Sequence, residues 1–141
     1  MKGSTSIALI VLDTNIFIAA AFNRSSHSAS IIKAVGQGQL RMLWNEKTHR
    51  EAKQLLEKIP QLSWGKFSDL FQEEDCYRVE VNHERFSFVA DPEDRKFAAL
   101  SEAVGATLVT QDQDLLSVRR LICVPVLRPR ELIEQILLKT S

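Results

Sequence analysis

Cysteine is scarce in this chain: Cys76 and Cys123 are the two among 141 residues, and they lie in unrelated segments with no C-x-x-C or Cys/His ligand spacing. A disulfide framework is thereby excluded, and both read as reduced structural thiols in a cytosolic protein. An excess of either charge is also missing, since 18 basic and 18 acidic residues cancel to a formal net charge of +0. Such a chain does not hold nucleic acid by bulk attraction, so any contact of that kind must be local. No apolar run approaches the ~20 residues of a membrane span. The opening MKGSTS carries no secretory hydrophobic region, so a soluble, cytoplasmic protein is expected. Gly/Ser linkers, internal repeats and low-complexity tracts are absent, which leaves one domain over residues 1–141. That length buries roughly two-thirds of the unfolded surface.

What is present is an alternation of strand and helix patterns. An apolar run over residues 7–13 reads as a buried strand, followed by a helix over about 15–22 and a polar loop NRSSHS. Ser28 or Ser30 suits the cap of a short helix that Gly36 and Gly38 end. A second strand is expected over 40–44. Within residues 46–59, Ala52, Leu55, Leu56 and Ile59 form a core-facing helical stripe that Pro60 stops. The pattern continues with a helix over 64–74, a third strand over 77–81, and a helix in ADPEDRKFAALSEAVGA. In that helix Asp91 suits the N-cap, Pro92 the first turn and Gly105 the stop. Strands over 107–110 and 122–127 and a closing helix over 129–138 complete the series. The fold class so predicted is α/β: a three-layer αβα sandwich around a central, mostly parallel five-stranded sheet.

Acidic residues recur where these strands end or helices begin. Asp13 closes the first strand, Glu51 lies at the rim of the apolar stripe in THREAKQLL, Asp94 opens the helix of DPEDRKFAAL, and Asp112 and Asp114 follow the strand in LVTQDQDLL. Each has an ordinary structural explanation. Asp13 and Asp94 suit helix caps, Glu51 a solvated helix face, and Asp112 a turn. Asn15 and Thr110 stand where they could orient a carboxylate. As a set, acids leaving two strands and heading the intervening helices point to a site for divalent metal at the C-terminal ends of a parallel sheet.

VLDTN, the glutamate of THREAKQLL, DPEDRKFAAL and LVTQDQDLL, in this order, resemble the acidic motifs of PIN-domain proteins over nearly the whole chain. The resemblance implies a compact αβα fold and metal-dependent ribonuclease chemistry, and many small members are toxins of bacterial toxin-antitoxin pairs. It places the family's acidic quartet on Asp13, Glu51, Asp94 and Asp112, with Asp114 as an extra ligand and Asn15 and Thr110 as polar support. Where many relatives open the glutamate helix on serine, this chain has Trp44-Asn45-Glu46, which makes Glu46 the alternative acid.

Hard oxygen ligands and no His/Cys cluster suit Mg²⁺ or Mn²⁺ rather than zinc. Asp13, Asp94 and Asp112 are expected to bind the ion, with Glu51 binding it or positioning water. Arg24, Lys47, Arg50, Arg95 and Lys96 are the candidate phosphate contacts, while His27, His49 and His83 show no spacing of a general base. The expected partners are an RNA substrate and a small antitoxin protein; the apolar ELIEQILL of the closing helix suits self-association with a second copy of the chain, though such a stripe is more often a core face. A haloacid-dehalogenase-like site is disfavoured because Asn15 replaces the second aspartate it needs, and a receiver site because VEVNHE follows the third strand. The remaining alternative is a PIN-like module that binds RNA or protein without cutting.

Overall fold

A computed structural model describes residues 7–140, with side chains through residue 136. Its sheet has four strands, all parallel, in the order β2-β1-β3-β4: β1 is Ala8–Leu12, β2 Leu40–Met42, β3 Thr107–Val109 and β4 Val126–Leu127. The α-helices are α1 Thr14–Phe22, α2 His27–Gly36, α3 Glu46–Glu57, α4 Arg95–Val104, α5 Gln113–Leu116 and α6 Pro129–Thr140. Because side chains alternate along a strand, Ile10 and Leu12 face one core with α1 and α2, while Val11 faces the other with α4. Val109 and Leu108 divide in the same way, so the sheet separates two apolar layers and the three-layer sandwich follows.

Local chemistry sets the helix boundaries. Ser26, rather than Ser28 or Ser30, caps α2 by accepting from the Ala29 N–H at 3.0 Å. Asn45 and Thr48 form a reciprocal capping box at the start of α3. Gly105 ends α4 with φ +69°, a left-handed conformation that glycine adopts without a Cβ penalty.

Two predicted elements take other forms. The strand expected over 77–81 is not a strand: a single parallel bridge joins Trp44 to Cys76, with Trp44 donating to Asp75 and accepting from Tyr77. The next residue, Asn45, turns away to cap α3, so residues beyond Tyr77 have no ladder partner and Val79 is left 64% exposed. The sheet therefore has four strands where five were expected. The helix expected over 64–74 is instead three 3₁₀ turns, Trp64–Lys66, Ser68–Leu70 and Glu73–Asp75. Its apolar residues Trp64, Phe67 and Leu70 recur every third position, which is the repeat of a 3₁₀ turn. They join Trp44, His49, Phe17 and Phe71 in an aromatic layer over α1 and α3.

The closing stripe ELIEQILL is used by the fold as far as its side chains are described: Leu132 is buried, and Ile133 and Ile136 pack against the same core as α1. No helix among the described residues is long and apolar enough to cross a membrane.

The chain moves outward from β1 to β2, then returns to place β3 on the other side of β1, so the strand order reverses between β1 and β3. Such a reversal opens a crevice at the carboxyl ends of the strands. The wall of that crevice depends on β3, whose Leu108 is fully buried. Leu108→Ala should cost about 2–5 kcal/mol of stability, read as a lower urea midpoint at unchanged slope. A midpoint within experimental error of the wild type would show that the two layers do not close on this strand.

Candidate metal centre

Asp13 leaves β1 at the reversal point, where its backbone N–H donates to Val109 of β3 at 3.0 Å. Its carboxylate is held from two sides. Oδ1 accepts from the Asn15 N–H at 3.2 Å, and Oδ2 accepts from the Thr110 hydroxyl at 2.7 Å. Thr110 is fully buried and its oxygen also accepts from the Asp112 N–H at 3.0 Å, so one hydroxyl ties the two acidic strand ends together. Asp112 in turn caps α5, its Oδ1 accepting from the Asp114 N–H at 2.9 Å. Asp94 heads α4 at the end of the 3₁₀ turn Pro92–Asp94.

These elements bring Asp13, Asp94 and Asp112 together, with a carboxylate oxygen of each within 4.8 Å of the others. Asp91, Asp94 and Asp114 form a second such group that shares Asp94, so Asp114 lies beside the first group rather than in it. Asp91 is exposed and caps the turn before α4, as the sequence suggests.

The electrostatics are those of crowded acids in a poorly solvated place. Burial pushes the Asp13 carboxyl up; its bonds from Thr110 and Asn15 pull it down, and the charges of Asp112 and Glu51 push it up again. Asp94 is pushed up to about 8, first by burial, then by a hydrogen bond with Asp112 that favours its protonated form, then by the charges of Asp112, Asp13 and Asp91. Its Oδ2 is buried and has no hydrogen-bond partner. A buried carboxylate oxygen without a donor is costly unless something positive meets it. The donor set fits a small hard cation: three carboxylates, one bearing an orphaned oxygen.

The remaining sequence candidates are distributed around this group. Glu51 is in neither group of acids; its Oε2 accepts from the Thr14 hydroxyl at 2.5 Å and its Oε1 from Lys96 Nζ at 2.9 Å. Glu46, the alternative acid, is exposed at the first position of α3 and lines a separate cavity of about 470 Å³ with Cys76 and Tyr77. The Asn15 side chain is exposed, and its backbone rather than its amide supports Asp13. Arg95 is committed to the fold, donating to the Val89 and Ser87 carbonyls at 2.9 and 3.2 Å. Lys47 and Arg50 line a cleft of about 340 Å³ beside Glu51, together with His83, whose ring burial pushes down. Sequence reasoning missed Thr14 as a partner of Glu51. Its place in VLDTN, between Asp13 and Asn15, was the available signal.

The raised carboxyls carry a sign. An unfolded aspartic acid loses its proton near pH ~4, whereas folded Asp94 keeps its proton to about 8. Between these values the native state binds more protons, so this group's contribution to stability falls as pH rises and is fully present below the unfolded value. In chelator, the wild type should lose more thermal stability between pH 5 and 8, on the order of a few degrees, than Asp94→Asn does. Identical pH slopes in the two proteins would remove Asp94 as the frustrated acid.

Comparison with known proteins gives the same frame. A profile described as PIN domain matches residues 9–114. No curated protein matches the chain. Among solved structures, PAE2754 from Pyrobaculum aerophilum superimposes with a TM-score of 0.60 at 18% identity, covering 92% of this chain and 89% of its own. FitAcB from Neisseria gonorrhoeae gives 0.57 at 15% identity, covering 85% and 97%. VapBC2 from Rickettsia felis, solved bound to a DNA fragment from their promoter, gives 0.52 at 15% identity, covering 84% and 96%. These likenesses are of fold, and the profile spans every acid of the two groups; the chain belongs to the PIN domain family.

Proposed function

We propose that this chain is a ribonuclease that hydrolyses RNA phosphodiester bonds with Mg²⁺ or Mn²⁺, and that it is the toxin of a toxin-antitoxin pair. The observation that carries the metal reading is the buried, partnerless Oδ2 of Asp94 within a group of three carboxylates. Asp13, Asp94 and Asp112 would hold the ion. Bound there, it would lower the pKa of its water and neutralise charge gathering on the phosphorus.

The residues have distinct tasks. Thr110 and the Asn15 N–H fix the Asp13 carboxylate in one orientation, so it needs no reorganisation to act as a ligand. The Asp94 proton would be the one a cation displaces, because its Oδ2 is buried without a donor. Beside the acids, Lys47, Arg50 and His83 line the cleft in which phosphates adjoining the cut would lie. Lys47 and Arg50 are the local cations that a chain of zero net charge needs there, beside Glu51 and Glu93 of the same cleft. The toxin assignment and a small antitoxin partner rest on the family resemblance of VLDTN and LVTQDQDLL.

The test is cleavage of a mixed structured-RNA pool with Mn²⁺, with Mg²⁺ and with chelator. Cutting should require the ion and fall by at least about a hundredfold in Asp13→Asn. Equal cutting by the variant would overturn the site. A folded wild type that binds Mn²⁺ and RNA without cutting would make the chain a binding module instead.

A further inference from the structure

Lys96 is the one cation of α4 that is buried with an acid from another helix. Its Nζ donates to Glu51 Oε1 at 2.9 Å and to the Glu93 carbonyl at 2.5 Å, and its side chain is 10% exposed. Lysine is rarely so buried unless an acid pairs with it. Glu51 is equally committed, since the Thr14 hydroxyl occupies its other oxygen at 2.5 Å. Thr14 follows Asp13 directly, so its bond ties the Glu51 carboxylate to the residue next to a proposed ligand. Asp13 also engages both of its oxygens, but on neutral donors, whereas the fourth acid meets a full positive charge in the Lys96 ammonium.

We propose that Lys96 is a positioning residue that takes the place of a metal ion at Glu51: the Lys96–Glu51–Thr14 arrangement keeps Glu51 out of the coordination shell, and the ion is held by Asp13, Asp94 and Asp112 alone. This inference rests on the metal-centre reading of those three acids. A lysine ammonium is a compact, strongly directed charge with three donors, which suits it to stand where a hydrated cation otherwise would. Its position as the second residue of α4, two residues after Asp94, makes the device part of the same helix start that delivers a ligand. Glu51 then joins α3 to α4 across the site and sets the spacing between the ion and the Lys47 and Arg50 cleft.

The test is Mn²⁺ binding to the full chain, followed by calorimetry and by loss of the free-ion electron paramagnetic resonance signal. Glu51→Gln, which keeps one acceptor oxygen for Lys96 and can donate its amide N–H to the Thr14 hydroxyl, should leave the affinity within about twofold of the wild type, whereas Asp94→Asn should lose roughly a hundredfold. Lys96→Met frees Glu51 and should add a Mn²⁺ ion that disappears again in the Lys96→Met/Glu51→Gln double variant. Lys96→Arg retains the charge and should bind Mn²⁺ as the wild type does. A tenfold or greater loss in Glu51→Gln with the near-ultraviolet dichroism intact, on the order of 1.4 kcal/mol, would overturn the proposal, as would a folded Lys96→Met with no ion dependent on Glu51. If Lys96→Met does not fold, the Glu51→Gln affinity decides alone. Unchanged Mn²⁺ binding in both Asp13→Asn and Asp94→Asn would instead defeat the metal-centre reading, and the role of Lys96 would fall with it.

Discussion

Three carboxylates meet between the ends of β1 and β3, and the repulsion among them is the constraint around which neighbouring structure is arranged. Asp13 and Asp112 are kept together by bonds that do not depend on a cation: the Asp13 N–H to Val109, and the Thr110 hydroxyl linking Asp13 to Asp112. All three acids also stand at helix starts, Asp13 before α1, Asp94 before α4 and Asp112 before α5. The unpaired N–H groups there favour negative charge, and the local field offsets part of the crowding. Asp94 receives the least help, having no side-chain cap bond and one oxygen without any donor.

That unequal support resolves the choice between cap and ligand that sequence alone leaves open. A carboxylate has two oxygens, and Asp112 spends Oδ1 on its helix while remaining within the acidic group. Asp13 does the same with Oδ1 and uses Oδ2 to bind Thr110. The two explanations are therefore compatible at one residue. In α4 the labour is divided instead: Asp91 caps, and Asp94 is free to face the other acids.

Much of the architecture was legible because parallel strands and their helices leave strong periodic signals. The runs ending at Asp13 and Thr110 and the helix between Asp91 and Gly105 were readable from pattern and position, while the encounter of Asp13, Asp94 and Asp112 was implied by the family resemblance, which also included Glu51. The failures share a cause. Residues 77–81 have a strand's alternation, but pairing needs a neighbour, and Asn45 removes it by turning into α3. Residues 64–74 carry apolar positions that serve a three-residue repeat as well as a longer one. The pairing of Lys96 with Glu51 was illegible for a related reason: it joins α3 to α4 across 45 residues, and no local pattern records which acid a helix lysine will meet.

A net charge of zero conceals how unevenly the charges are placed. Acids occupy the reversal point of the sheet, while Lys47, Arg50 and His83 line the adjoining cleft, with Lys96 and Glu51 at the boundary. A polyanion approaching the acids without an ion would be repelled, yet in the adjoining cleft it would meet Lys47 and Arg50. At the boundary Lys96 donates to Glu51 at 2.9 Å and to the Glu93 carbonyl, so the charges of this pair meet each other. Under the proposed reading, an ion among Asp13, Asp94 and Asp112 converts the repulsive half of this surface into an attractive one, so substrate affinity and chemistry both depend on the same three carboxylates.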